Sequence, residues 1–223
     1  MAIFALSDLH LPLGVEKPMD IFGGRWDDYV KKIEYEWNNA VKEDDFVIIN
    51  GDFSWATYLE EALNDFKFLD SLPGAKLISK GNHDYWWSTK KKMGEFLEAN
   101  DIRKISFLQN NAFLCDGVAV CGARGWILPT DKAFKKEDEK IYNRELMRFE
   151  TSLKAAKELS DTVIATLHYP PDNKFMEIAN RYGAYKVVFG HLHGRRAEDY
   201  TSSFENALLV SADFLRFKPI KII

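Results

Sequence analysis

Short apolar runs alternate with longer amphipathic stretches along most of this chain, and many of the runs stop at Gly, Asp or His. Residues 2–6, 46–50, 76–79, 105–108, 162–167 and 185–189 are apolar runs of strand length, rich in aliphatic and aromatic side chains. Residues 58–72 place Leu59, Ala62, Leu63, Phe66 and Leu69 on one helical stripe, closed by Pro73-Gly74. Residues 86–99, 137–159 and 175–182 also predict helices. Residues 111–122 predict a hairpin turning at Asp116-Gly117. Pro170-Pro171 forbids a helix start directly after His168. Near the C-terminus, residues 206–210 and 217–222 predict an antiparallel pair, and the polar stretch 130–140 predicts a mobile loop.

Strands alternating with helices imply an α/β fold. The hairpin and the terminal pair add antiparallel partners, which leaves a mixed sheet or two packed sheets with helices outside. A chain of 223 residues without a Gly/Ser-rich linker, an internal repeat or a low-complexity tract is expected to form one domain over residues 1–223.

Composition narrows the function classes. An apolar fraction of 46% supports a sizeable core, and a net charge of −4 without a basic block offers no electrostatic grip on nucleic acid or an anionic membrane. Lys90-Lys91-Lys92 reads as a solvated helix face. No signal-peptide pattern opens the chain, and no apolar stretch approaches the ~18 residues of a membrane span. Cys115 and Cys121 are out of register in the expected hairpin, so they are expected as reduced thiols of a cytoplasmic protein.

Candidate chemistry is concentrated in a few places. All five histidines lie in short motifs that follow apolar runs: Asp8-Leu9-His10, Gly81-Asn82-His83-Asp84, His168 and Gly190-His191-Leu192-His193. Gly51-Asp52 ends a further run. Imidazole and carboxylate side chains at strand ends suit divalent metals, and strand ends in α/β sheets face the ligand crevice. Residues two apart in an extended segment point to one side, so Asp8 with His10, and His191 with His193, would each offer a pair of ligands. Asp52 is a carboxylate able to bridge two cations, and Asn82 adds a neutral oxygen. Gly51, Gly81 and Gly190 permit close backbone approach.

This ordered series resembles the calcineurin-like metallophosphoesterases over roughly Met1 to Arg195. The resemblance implies a four-layer α/β/β/α sandwich of two mixed β-sheets flanked by helices. It also implies a dinuclear centre: Asp8, His10 and His193 on one metal, Asn82, His168 and His191 on the other, and Asp52 bridging. Two cations about 3.5–4 Å apart would generate a bridging hydroxide that attacks phosphorus. Mn²⁺ or Fe is the expected occupant, with Zn²⁺ an alternative, because a nitrogen and oxygen ligand set without thiolate does not decide. His83 would be no ligand. It would act as general acid or donate a hydrogen bond near the leaving oxygen.

The chain departs from the family pattern at Trp55, which stands where many members carry an acidic residue beside that histidine. The arginines of protein serine/threonine phosphatases near the second and third motifs are also missing. The expected substrate is a small phosphate monoester or diester, with nucleic acid and membrane not expected as partners. The rivals are a catalytically silent metal-binding scaffold, which would be expected to have lost ligands, and a nuclease, which would need a basic groove.

Several further residues carry two readings. Trp55, Tyr85, Trp86 and Trp87 either wall a leaving-group pocket or pack the following helix. Arg124 and Arg25 either clamp phosphate or form surface ion pairs. Arg144 and Arg148 either cover the cleft or face water. Asp84 either fixes its loop or takes part in catalysis. Segments 11–26 and 123–140 are expected to shape selectivity.

Overall fold

The computed structural model describes residues 1–19, 21 and 23–223. Asp20 and Phe22, in the segment expected to shape selectivity, lie outside the described residues. Two five-stranded sheets stack face to face. The first is ordered β10-β1-β2-β3-β4, from β1 (Ile3–Ala5), β2 (Phe46–Asn50), β3 (Ala75–Ser79), β4 (Ile105–Leu108) and β10 (Ile220–Lys221). The second is ordered β5-β6-β7-β8-β9, from β5 (Ala112–Cys115), β6 (Val118–Ala123), β7 (Thr162–Leu167), β8 (Ala184–Phe189) and β9 (Ala207–Leu209). Pairing is parallel except for β1 with β10 and β5 with β6.

The strands are apolar on both faces because both faces are covered. Ile3, Ala5, Ile48 and Leu77 of the first sheet meet Val118, Val120, Ile164 and Val188 of the second. The alternate residues point outward. Phe4, Val47, Ile49 and Ile78 pack under helices α1 (Tyr29–Ala40), α2 (Leu63–Ser71) and α3 (Lys90–Ala99). Ala119, Cys121, Val163 and Val187 pack under α4 (Asp138–Lys157) and α5 (Asn173–Arg181). The result is the four-layer sandwich that the resemblance implies.

Helix boundaries follow local hydrogen bonding. α2 begins at Leu63 rather than 58, because Glu61 Oε2 accepts from Thr57 N at 2.9 Å and Tyr58 N at 3.1 Å and holds the preceding residues as turns. α3 begins at Lys90 rather than 86, where Thr89 Oγ1 caps Lys92 N at 3.2 Å. Asp172 caps α5 through Phe175 N at 3.2 Å. Helix α1 was not expected from the sequence, although its buried residues Tyr29, Ile33 and Trp37 lie four apart.

The expected terminal pair does not form. β9 joins the second sheet parallel to β8, while β10 joins the first antiparallel to β1. Each segment completes an edge of a different sheet, which protects more backbone than pairing them with each other would. The hairpin forms as expected, with Cys115 opposite Val118 and Cys121 opposite Ala112, and both thiols are free and buried. No helix among the described residues is long and apolar enough to cross a membrane.

Candidate metal centre

The C-terminal ends of β1, β2, β3, β7 and β8 lie at one end of the sandwich, where cross-links draw the sheets together. Asn50 Nδ2 at the end of β2 donates to Leu167 O at the end of β7 at 2.8 Å. Ser7, past β1, forms a parallel bridge with Ser211, past β9. The loop after β1 runs beside the loop after β2: His10 N donates to Asp52 O at 2.9 Å, and Leu11 bridges Ser54.

These loops carry unusual backbone. Asp8, His10, Asp52 and His191 have φ of 58°, 46°, 49° and 70°, in the left-handed region that non-glycine residues seldom adopt. The extended geometry expected for Asp8-x-His10 is therefore incorrect: tight turns, not an extended strand, aim both side chains inward. Held strain at four clustered residues is the kind of feature found at functional sites. Close approach explains two glycines. A Cβ on Gly81 would lie 2.1 Å from Asp52 Oδ1, and one on Gly190 would lie 2.2 Å from Asp8 Oδ2.

Seven side chains named from the sequence converge here. His10 Nε2 lies 3.3 Å from His193 Nε2 and 3.8 Å from Asp52 Oδ2. His193 Nε2 lies 3.6 Å from Asp8 Oδ1. His168 Nε2 lies 3.5 Å from Asp52 Oδ2 and 2.7 Å from Asn82 Oδ1, and His191 Nδ1 lies 2.8 Å from that same oxygen. Ligands of one cation at bond lengths near 2.1 Å sit about 3.0–3.4 Å apart, so these separations are close to those of a loaded site. Asp8, His10 and His193 form one compact group of donor atoms, and Asp8, Asp52 and His168 form another.

The charge states fit a cation. Burial drives His10 well below its ordinary value, His168 to about 4 and His191 to about 3, which leaves those imidazoles unprotonated near neutrality. Burial alone would raise Asp8, but hydrogen bonding and the charge of His193, with His168 and His10, hold it well below the usual carboxylate range. Burial, aided by Asp84 and Asp8, pushes Asp52 well above that range. A divalent ion between the two carboxylates would relieve that repulsion. Neutral His168 has one N–H, yet its Nδ1 faces Asn50 O at 3.1 Å while its Nε2 faces Asn82 Oδ1. A cation between Nε2 and the amide oxygen satisfies both lone pairs. The same amide, turned by half a rotation, would donate to both rings instead.

Outside this ring stand supporting residues, of which the motifs did not reveal Asp213 and Tyr29. Asp213, past β9, accepts from His193 Nδ1 at 2.8 Å and from Gly194 N at 2.9 Å. A carboxylate behind a metal-ligating histidine fixes its tautomer and orientation. Burial opposes the charge of His193, but hydrogen bonds to Asp213 and Asp8 outweigh it and push the imidazole up to about 10. Asp84 fixes the third loop rather than facing the cleft: it accepts from Gly81 N, Asp52 N, Phe53 N, Ser54 N and Trp86 Nε1. Tyr29 Oη donates to His10 O at 2.5 Å.

His83 lines a cleft of about 840 Å³ together with Asp52, His10, Trp26 and Trp55. The Trp55 ring stacks on His10 at 4.6 Å and tilts against His83 at 5.0 Å. No carboxylate stands at position 55 to raise His83, and burial, with the charge of His193, lowers it. The aromatic residues thus divide. Trp55 walls the cleft, Trp86 and Trp87 pack on the core of the first sheet, and Tyr85 is exposed. Arg25 pairs with Glu198 and stands 3.9 Å from Asp213. Arg124 lies over Trp126 at 4.3 Å and 4.0 Å from Glu145, whose carboxylate Arg148 holds at 2.7 Å. Arg144 is exposed, and Lys90, Lys91 and Lys92 are an exposed first turn of α3.

The family profile of calcineurin-like phosphoesterase matches residues 1–195. Three solved structures illustrate the likeness. A protein of unknown function from Aquifex aeolicus is 17% identical, with a TM-score of 0.55 over 99% of this chain and 95% of its own. The phosphopantetheinyl hydrolase of Mycobacterium tuberculosis is 11% identical, with a TM-score of 0.56 over 100% and 95%. The protein TT1561 of Thermus thermophilus is 13% identical, with a TM-score of 0.56 over 98% and 96%. At these identities the likeness is one of fold. No curated protein matches the chain. The family match runs from before Asp8 to beyond His193 and so takes in the whole ring of candidate ligands, which makes this chain a calcineurin-like phosphoesterase, a metal-dependent hydrolase of phosphoester bonds.

Proposed function

We propose that this protein hydrolyses a small phosphate monoester or diester at a dinuclear centre. Asp8, His10 and His193 would hold one metal, Asn82, His168 and His191 the other, and Asp52 would bridge them. The observation that carries this reading is the convergence of all seven side chains, from loops of both sheets, at donor separations suited to cations. When bound, the ions supply Lewis acidity, which acidifies water and neutralises charge on phosphoryl oxygens. Mn²⁺ or Fe fits the nitrogen and oxygen donors, as does Zn²⁺.

The chain's own residues do the rest. His83, lowered by burial, is neutral near pH 7 and serves the leaving oxygen as an N–H donor. Trp55 excludes water from that side. Asp84 locks the backbone that aims Asp52 and Asn82. Two buried free thiols suit the reducing cytoplasm.

The test is hydrolysis of 4-nitrophenyl phosphate and bis(4-nitrophenyl) phosphate by chelated protein re-supplied with Mn²⁺, Fe²⁺, Zn²⁺ or Mg²⁺. Metal-dependent turnover, nearly abolished in Asp52→Asn and His168→Ala, is expected. His83→Ala should lower kcat with metal content unchanged. Full metal loading without turnover of either ester would overturn the reading in favour of a metal-holding scaffold.

A further inference from the structure

Two clefts meet at His191. The cleft lined by His83, Trp26 and Trp55 is one. A second cleft of about 830 Å³ is lined by Trp126, Tyr169, Lys135, Arg196 and Tyr200. His191 lines both. From it an unbroken aromatic path leads into the second cleft: Tyr169 lies 4.2 Å from the His191 ring, and Trp126 lies 5.8 Å from Tyr169.

The walls of the second cleft are held in place. Trp126 Nε1 donates to Asp138 Oδ1 at 2.9 Å, and the Arg124 guanidinium lies against the Trp126 ring. Tyr169 N donates to Arg124 O at 3.1 Å, which ties the Tyr169 wall to the loop after β6. Asp138 accepts from Trp126 and Lys135 N, and Asp131 from Ala133 N, while Glu137 is exposed on the rim. Two arginines beside the clefts are unpaired as well among the described residues. Arg195 and Arg196, consecutive residues of α6 (Gly194–Glu198), turn into the first and second cleft respectively. Neither has an ion-pair partner among the described residues.

A phosphomonoester has one organic substituent and would leave one of these clefts without an occupant. We propose that the substrate is a phosphodiester carrying two organic arms, at least one with a planar group and polar acceptors, seated with one arm in each cleft. This rests on the phosphoesterase reading above. The arm beside His83 is the leaving group. Water oxygen bonds to phosphorus, the P–O bond to that arm breaks, and the departing oxygen gains a proton. The phosphomonoester product keeps its arm in the second cleft. Trp126 and Tyr169 offer aromatic surface to a planar group, and Arg196 offers a fork of donors to acceptors on that arm.

The test compares two substrates with one leaving group, thymidine 5′-(4-nitrophenyl) phosphate and 4-nitrophenyl phosphate, on the Mn²⁺-loaded enzyme. The diester is expected to have at least tenfold higher kcat/KM, mostly through KM. Trp126→Ala and Arg196→Ala should each lower the diester-to-monoester ratio at least tenfold. Preference for the monoester, or a ratio unmoved by both substitutions, overturns the two-arm proposal and leaves the phosphoesterase reading intact. Failure to turn over either ester with metal bound overturns both.

Discussion

Asp213 tests the account of the metal centre most sharply, because it touches no proposed metal and yet holds His193 by Nδ1 at 2.8 Å. Asp213→Ala removes that bond and the one to Gly194 N at 2.9 Å, freeing the ring to turn. Loss of such an outer carboxylate costs about 10–100-fold in metal affinity, or roughly 1.4–2.7 kcal/mol. A second effect opposes it. In the metal-free protein His193 holds its proton up to about pH 10, and metal must displace that proton. Asp213 is one of the groups that keep it there, so its removal also weakens proton competition. The deficit of Asp213→Ala is therefore expected to be largest at pH 8.5 and to narrow at pH 6, where protons compete hardest with wild-type metal binding. Calorimetric titration of chelated protein with Mn²⁺ under nitrogen at both pH values reads this directly. Asp213→Asn, which keeps the shape and loses the charge, should fall between. A residue that merely stabilised the fold would lower Tm and leave the pH trend of metal affinity as in wild type. Affinity equal to wild type at both pH values in a folded Asp213→Ala protein would refute the positioning role.

Three further perturbations test the supporting structure. Gly81→Ala places a methyl 2.1 Å from Asp52 Oδ1, so Asp52 must retreat, and metal content by emission spectroscopy should fall along with at least 100-fold of turnover; full loading would contradict the close-approach argument. Asp84→Ala orphans the buried amides of Gly81, Asp52 and Phe53, and at about 1–3 kcal/mol per unsatisfied donor the urea unfolding free energy should drop by about 3 kcal/mol or more. Asp65 is buried and accepts from Leu13 N and Ser54 Oγ, and burial pushes its carboxyl to about 7 despite those bonds. A folded pKa above the unfolded one favours the protonated form, so this contribution to stability is full below about pH 4 and is lost as pH rises through 7. The raised value corresponds to about 4 kcal/mol between those limits. Asp65→Asn should raise Tm at pH 8 and change it little at pH 4, and an equal shift at both would contradict the assignment.

What the sequence disclosed and what it hid have one physical cause. Ligands to a cation must be of a few residue types, and a crowded site demands glycine at close approach. The candidate ligands Asp52, Asn82, His191 and His193 therefore stood in short motifs beside Gly51, Gly81 and Gly190, and Asp8, His10 and His168 stood just past apolar runs. The buried layers were legible for a similar reason, since strands covered on both faces are apolar throughout. Pairing partners are not encoded that way. The edge segments β9 and β10 are short and carry no mark of which sheet will accept them. Asp213 was hidden by the same gap. Its place behind His193 exists only because the chain passes from the edge of one sheet toward the edge of the other after β9, and a lone Asp after Val210-Ser211-Ala212 matches no motif. The second cleft was hidden too, because Trp126, Tyr169 and Arg196 come from three separate segments that only the sandwich brings around His191. Residues fixed by the chemistry of a cation can be read from type and order alone, whereas residues that support it or read the rest of the substrate are fixed by tertiary position. Arg195 and Arg196 show the difference within two positions: they adjoin the most legible motif in the chain, yet only the rotation between successive residues of α6 sets them in different clefts.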